Sequence, residues 1–138
     1  MGSGDSKSPT VTIRCNGGDA ISRMVAGAQE FCAAAVLETG HAARLAIMIE
    51  ELVTNLVEHG GVAADGVIEL VLTHEDGVVG IALSDTGVAF DLRDADSSDD
   101  IPDRGGGAGI DLIRAWAEIV DYESQAGHNR LLLKMWLS

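Results

Sequence analysis

The sequence predicts an α/β protein of the α+β type. It would be a two-layer sandwich, with a mixed, mainly antiparallel sheet covered on one face by about three helices. Three observations point there. β-rich segments are joined by short turn signals, at Asp76-Gly77 and around Gly127. Helical periodicity falls in blocks between these segments rather than after every strand. The chain has 138 residues, 46% of them hydrophobic, which is enough apolar material for one core, and no linker divides it.

Residues 10–15 alternate and are β-rich, a first strand. Asp19 is placed to cap a helix with apolar positions Ile21, Met24, Val25, Ala28, Phe31, Cys32 and Ala35, and Gly40 stops it. A second helix is expected over residues 41–58. Leu45, Met48, Ile49, Leu52 and Leu56 form its core stripe, and Gly60-Gly61 ends it. Residues 67–74 form a strand with Ile68, Leu70 and Leu72 on one face, and residues 78–84 pair back on it. Residues 91–107 are rich in Asp, Ser and Gly and lack periodicity, as a functional lid does. A third helix carries Ile110, Ile113, Trp116, Ala117 and Val120 on one face. Residues 119–124 and 129–137 are two closing strands. The domain thus spans 10–138. Residues 1–9 are small and polar and read as a flexible leader.

The net charge of −13 disfavours nucleic acid and anionic membranes as partners. No apolar run approaches the ~18 residues that span a bilayer, and no secretory signal is visible. Cys15 and Cys32 lie far apart with no metal-binding spacing, and Cys32 falls in an apolar helical stripe. Reduced core thiols and a cytoplasmic location are expected. Trp116 and Trp136 suit core or half-core positions, and the scattered histidines form no metal set.

Three motifs carry chemistry. Glu51 and Asn55 are four residues apart, hence about 40° apart on one helix face. Glu51 is suited to general-base duty and Asn55 to offering a neutral oxygen to a hard cation. Equally, Asn55 can cap backbone and Glu51 can be a solvated charge. Asp85 ends a hydrophobic strand, where a carboxylate can accept from an exocyclic amine, and Gly87 lets a flat ring approach the backbone. Read alone, the pair is also a plain turn. Gly105, Gly106, Gly107 and Gly109 open the third helix, where backbone N–H groups can cradle phosphates. A flexible hinge is the alternative. No Gly-Lys-Ser/Thr follows, so this is not a Walker loop, and no strand leads directly into it, so it is not a Rossmann fingerprint.

In this order the three motifs resemble those of the GHKL ATPase superfamily, with its Bergerat-type ATP-binding fold. Glu51-Leu-Val-Thr-Asn55-Leu-Val-Glu-His59 is similar to the N box of the anti-sigma-factor serine/threonine kinase branch. Asp85-Thr-Gly87-Val-Ala-Phe90-Asp91 resembles that branch's D-x-G-x-x-F-D pattern. Gly109-Ile-Asp-Leu-Ile113-Arg114, Val120-Asp-Tyr122 and Asn129-Arg-Leu131 match its C-terminal half. The likeness covers about residues 10–138. It departs from the branch in an unusually acidic lid and in Ala108, which interrupts the glycine run.

The resemblance implies ATP and Mg²⁺ as cofactors. Glu51 would be the catalytic base, Asn55 the Mg²⁺ ligand and Asp85 the partner of the adenine amine, with Gly87 beside the ring. Arg104, Gly105, Gly106, Gly107, Gly109 and Ile110 would shape the lid and phosphate site. It further implies a protein-serine/threonine kinase that phosphorylates a STAS-domain anti-sigma-factor antagonist and sequesters a sigma factor or comparable regulator. Homodimers are common in that branch. Two other readings stay open: an ATP-binding regulatory module without kinase activity, and the catalytic domain of a two-component histidine kinase system.

Overall fold

A computed structural model describes residues 10–59, 61–88 and 106–137. The elements follow in chain order: β1 (Thr10–Asn16), α1 (Ala20–Ala34), α2 (Thr39–Thr54), a π-helical turn (Asn55–His59), β2 (Val67–Glu75), β3 (Val78–Asp85), α3 (Gly106–Trp116), β4 (Glu118–Gln125) and β5 (His128–Trp136). The five strands form one sheet in the order β1-β2-β3-β5-β4, and every described pairing is antiparallel. The expected two-layer α/β sandwich is what the chain forms.

Alternation sets the layers. Ile68, Leu70 and Leu72 of β2, Val79, Ile81 and Leu83 of β3, and Leu131, Leu133 and Met135 of β5 all turn to one side and are buried. Against them pack Met24, Ala28 and Phe31 of α1, Leu45, Met48, Ile49 and Leu52 of α2, and Ile113 of α3. At roughly 1.5–3 kcal/mol for each large side chain buried, this shared interior dominates the fold's stability. Cys15 and Cys32 are free and buried in it, as expected. Among the described residues, no helix is long and apolar enough to cross a membrane.

Several boundaries differ from expectation. α1 ends at Ala34, short of Gly40. Leu37 N–H donates to Cys32 O and Val36 N–H to Ala33 O, a Schellman closure with Val36 in the left-handed region at φ 54. Gly40 instead lies in the first turn of α2. Asp19 takes the expected N-cap position but makes no side-chain capping bond. α3 starts inside the expected lid, so Gly106 and Gly107 are helical, and it stops at Trp116. Val120, expected on that helix face, belongs to β4, because pairing with β5 satisfies more backbone groups than another helical turn would. It sits at a bulge between Ile119 and Asp121 and is 43% exposed. Trp136, expected at a core or half-core position, is 54% exposed on the sheet's uncovered face. The expected leader, residues 1–9, Ala89 and Phe90 of the second motif, and residues 91–105 of the expected lid, with Arg104 and Gly105, lie outside the described residues.

Candidate functional site

Asp85 ends β3 on the inward face, in line with Val79, Ile81 and Leu83. It is 5% exposed, and among the described residues only Asn129, at 2%, is a comparably buried polar side chain. The ladders place Asp85 opposite Asn129 and Asn129 opposite Ser124, so a polar row crosses three strands at one end of the sheet.

Bonds along this row are short. Asp85 Oδ1 accepts from Gly87 N–H at 2.7 Å, an Asx turn that closes the Asp-Thr-Gly segment. The same oxygen accepts from Asn129 Nδ2 at 2.9 Å, and Nδ2 also donates to Gly87 O at 2.9 Å. Ser124 Oγ donates to Asn129 Oδ1 at 2.6 Å. Thr86 Oγ1 accepts from Val67 N–H at 3.2 Å, which ties the turn to the start of β2. Among the described residues, Asp85 Oδ2 has no hydrogen-bond partner. A buried acceptor in that state is costly and suits a ligand that brings a donor. The exocyclic amine of adenine is such a donor.

Glu51 and Asn55 lie one turn apart where α2 gives way to the π turn, and both are half-buried. Neither side chain makes a hydrogen bond or ion pair among the described residues. The π turn widens the helix at Asn55; such turns recur at functional sites. Gly109, in α3, is buried against Glu51. A Cβ built on Gly109 would overlap the Glu51 carboxylate, so a glycine is what lets that carboxylate lie in its place against α3. Arg44 of α2 stands over the Trp116 ring at 5.7 Å and clamps the far end of α3 to α2.

The chain just after the first motif passes close to the second at Gly61, at φ 72. A Cβ there would come within 3.0 Å of Val88, so the chain leaving the π turn runs beside the residue that follows Gly87. Gly106, Gly107 and Ile110 belong to α3 with Gly109. The helix layer therefore brings Glu51 beside Gly109, with Asn55 one turn further along from Glu51, and the sheet end carries Asp85 and Gly87. No group of three His, Cys, Asp or Glu among the described residues is placed to hold a metal. Asn55 fits Mg²⁺ as a single protein ligand beside phosphate oxygens, the manner in which that ion is usually held.

Sequence reasoning missed Asn129 and Ser124 as site residues. A signal existed: Asn129 takes the inward register of Leu131, Leu133 and Met135, where a polar residue is out of pattern.

The sequence profile of the histidine kinase-like ATPase domain family matches residues 18–135. Among solved structures, the Erythrobacter litoralis EL346 blue-light activated histidine kinase is similar with a TM-score of 0.56 at 17% identity. That match covers 73% of this chain and 32% of that one. The histidine kinase domain of the same protein gives a TM-score of 0.55 at 14% identity, covering 88% of this chain and 61% of that one. The chain thus spans less than two thirds of either, and at these identities the likeness concerns the fold alone. No curated protein matches closely enough to count as a relative. With its profile matched from residue 18 to residue 135, over strands, helices and all three motifs, this chain belongs to the histidine kinase-like ATPase domain family, the ATP-binding, kinase-like modules of the GHKL superfamily.

Proposed function

We propose that this chain is a Mg-ATP-dependent protein-serine/threonine kinase of the anti-sigma-factor type. It would act in the cytoplasm on a Ser or Thr of a STAS-domain antagonist and would sequester a sigma factor or similar regulator, itself forming homodimers. The observation that carries the catalytic part is Glu51. It is a half-buried carboxylate without a polar partner among the described residues, set against Gly109 on the glycine-rich helix.

Bound Mg-ATP would supply the phosphoryl group, and such transfer needs mainly positioning and charge neutralisation. Glu51 takes the proton of the incoming hydroxyl. Asn55 offers its carboxamide oxygen to Mg²⁺. Asp85 Oδ2 and Gly87 receive the adenine. Gly105, Gly106, Gly107, Gly109 and Ile110, with Arg104, would supply the phosphate end, since helix-terminal N–H groups favour anions.

A second reading is favoured by one observation: the two similar structures named above are of one histidine kinase and of its kinase domain. The chain would then phosphorylate a histidine on another segment. One experiment separates these. The protein is incubated with γ-labelled ATP and a STAS partner, and the linkage is tested chemically. Acid-stable, alkali-labile label on the partner supports the serine/threonine reading. Acid-labile, alkali-stable label supports the histidine reading. Nucleotide binding with no transferred label leaves an ATP-dependent regulatory module.

A further inference from the structure

Asn129 has every hydrogen of its carboxamide engaged. Its NH₂ group meets two acceptors, Asp85 Oδ1 and Gly87 O, both at 2.9 Å. An amide oxygen cannot occupy that place, because it donates nothing. The oxygen must therefore face Ser124, whose hydroxyl must donate at 2.6 Å. The direction of the whole row follows from chemistry alone: Ser124 sets Asn129, and Asn129 sets Asp85 and Gly87.

We propose that Ser124 and Asn129 form a positioning relay for base recognition, which fixes the Asp85 carboxylate so that Oδ2 alone is presented to the nucleobase. This rests on the reading of Asp85 as the base-binding residue. With Oδ1 held by two donors, the carboxylate cannot rotate to offer its other edge. The presented atom only accepts. A purine with an exocyclic amine satisfies it, and one with a carbonyl at the same position places two acceptors face to face. Asn129 does not touch the nucleotide in this scheme. Its sequence distance of 44 from Asp85 is bridged by ladder register, which places the two directly opposite each other.

The test is calorimetry of Mg-ATP and Mg-ITP, inosine carrying a carbonyl where adenine carries its amine. The wild-type chain, Asp85→Asn, Asn129→Leu, Ser124→Ala and Ser124→Thr are compared. Wild type should prefer ATP, and Asp85→Asn should erase the preference. Asn129→Leu should weaken ATP by about 10- to 100-fold, as for a lost bond to a charged group, and move the ATP-to-ITP ratio toward one. Ser124→Ala should weaken ATP by about 2- to 10-fold and lower the ratio, and Ser124→Thr, which keeps the hydroxyl, should restore both. Asn129 is buried, so Asn129→Leu can fail to fold; Ser124, at the row's outer end, then decides. Equal ATP and ITP affinity in wild type, or an unchanged ratio in Asp85→Asn, overturns the base-binding reading and the relay with it. A wild-type ratio in the Ser124→Ala protein, with Asp85→Asn behaving as expected, overturns the relay alone.

Discussion

Glu51 and Gly109 constrain each other's size. The carboxylate occupies the space that any side chain at position 109 would need. Gly109→Ala should therefore push Glu51 off its position. Alanine is the better helix former by roughly 1 kcal/mol, so α3 itself gains. The expected outcome is a thermal midpoint held within a few degrees and a phosphotransfer rate lowered by ~10-fold or more, as misplacement of a reacting group costs. Glu51→Gln should leave nucleotide affinity within about a few-fold and lower phosphotransfer by ~10²–10⁴. A Glu51→Gln protein that transfers phosphate at the wild-type rate removes Glu51 as base. At this scale the sequence was readable where chemistry is local: Glu51 with Asn55 on one helix turn, Asp85 with Gly87 in one Asx turn. Asn129 was not, because its partner is fixed by strand register and not by neighbours in the chain.

At the scale of elements, Val36 stands where glycine is favoured. A β-branched residue in the left-handed region costs roughly 1–2 kcal/mol, and Val36 is 85% exposed, so no burial offsets the strain. Val36→Gly should stabilise the fold by about 0.5–1 kcal/mol after glycine's larger entropy loss, a rise in Tm of about 2–5 °C. An unchanged or lower Tm in a thermal melt contradicts this. The same site explains the misread end of α1. Gly40 looks like a stop signal, but the stop is made by backbone closure at Val36, which carries no compositional mark. The π turn was invisible for a related reason: five residues are too few to show a changed period. α3 was foreseen as a helix on a correct face through Ile113 and Trp116, and its last turn was misread because Ile119 and Val120 satisfy helical and β spacing alike.

Across the molecule, charge and burial are distributed unevenly. On the sheet's uncovered face, basic residues stand opposite acidic ones across the strands: Arg14 with Glu69, Arg130 with Glu123, Lys134 with Glu118. Only the first pair is a close ion pair, 3.7 Å apart, and it is solvent-exposed, so it contributes little to stability. The pattern matters as balance: in a chain of net charge −13, these three pairs cancel where they stand. The interior carries both cysteines. Burial pushes the Cys15 thiol above its ordinary value, with Arg23 opposing in part, and burial alone pushes up Cys32. Both should resist iodoacetamide at pH 8 in the folded chain and react once denaturant opens the core, since the thiolate is the nucleophile. Labelling followed by mass spectrometry reads this, and fast labelling of the native chain would contradict a closed interior. Composition and alternation made this layering legible from the sequence; the exposure of Trp136 was not, because an aromatic on the outward register looks the same on a covered face and on a bare one.

The Arg44–Trp116 clamp has an optical consequence. The chain holds two tryptophans, one on α3 beneath a guanidinium and one on the bare side of β5 near Lys134. Trp136→Phe would leave Trp116 as the sole indole emitter. Its quantum yield and emission maximum depend on the cation above it and on how tightly α3 sits on α2. Nucleotide titrations should therefore shift Trp116 emission, and Arg44→Ala should alter the starting spectrum. The molecule carries an intrinsic fluorophore on the helix whose glycine-rich start belongs to the proposed phosphate site.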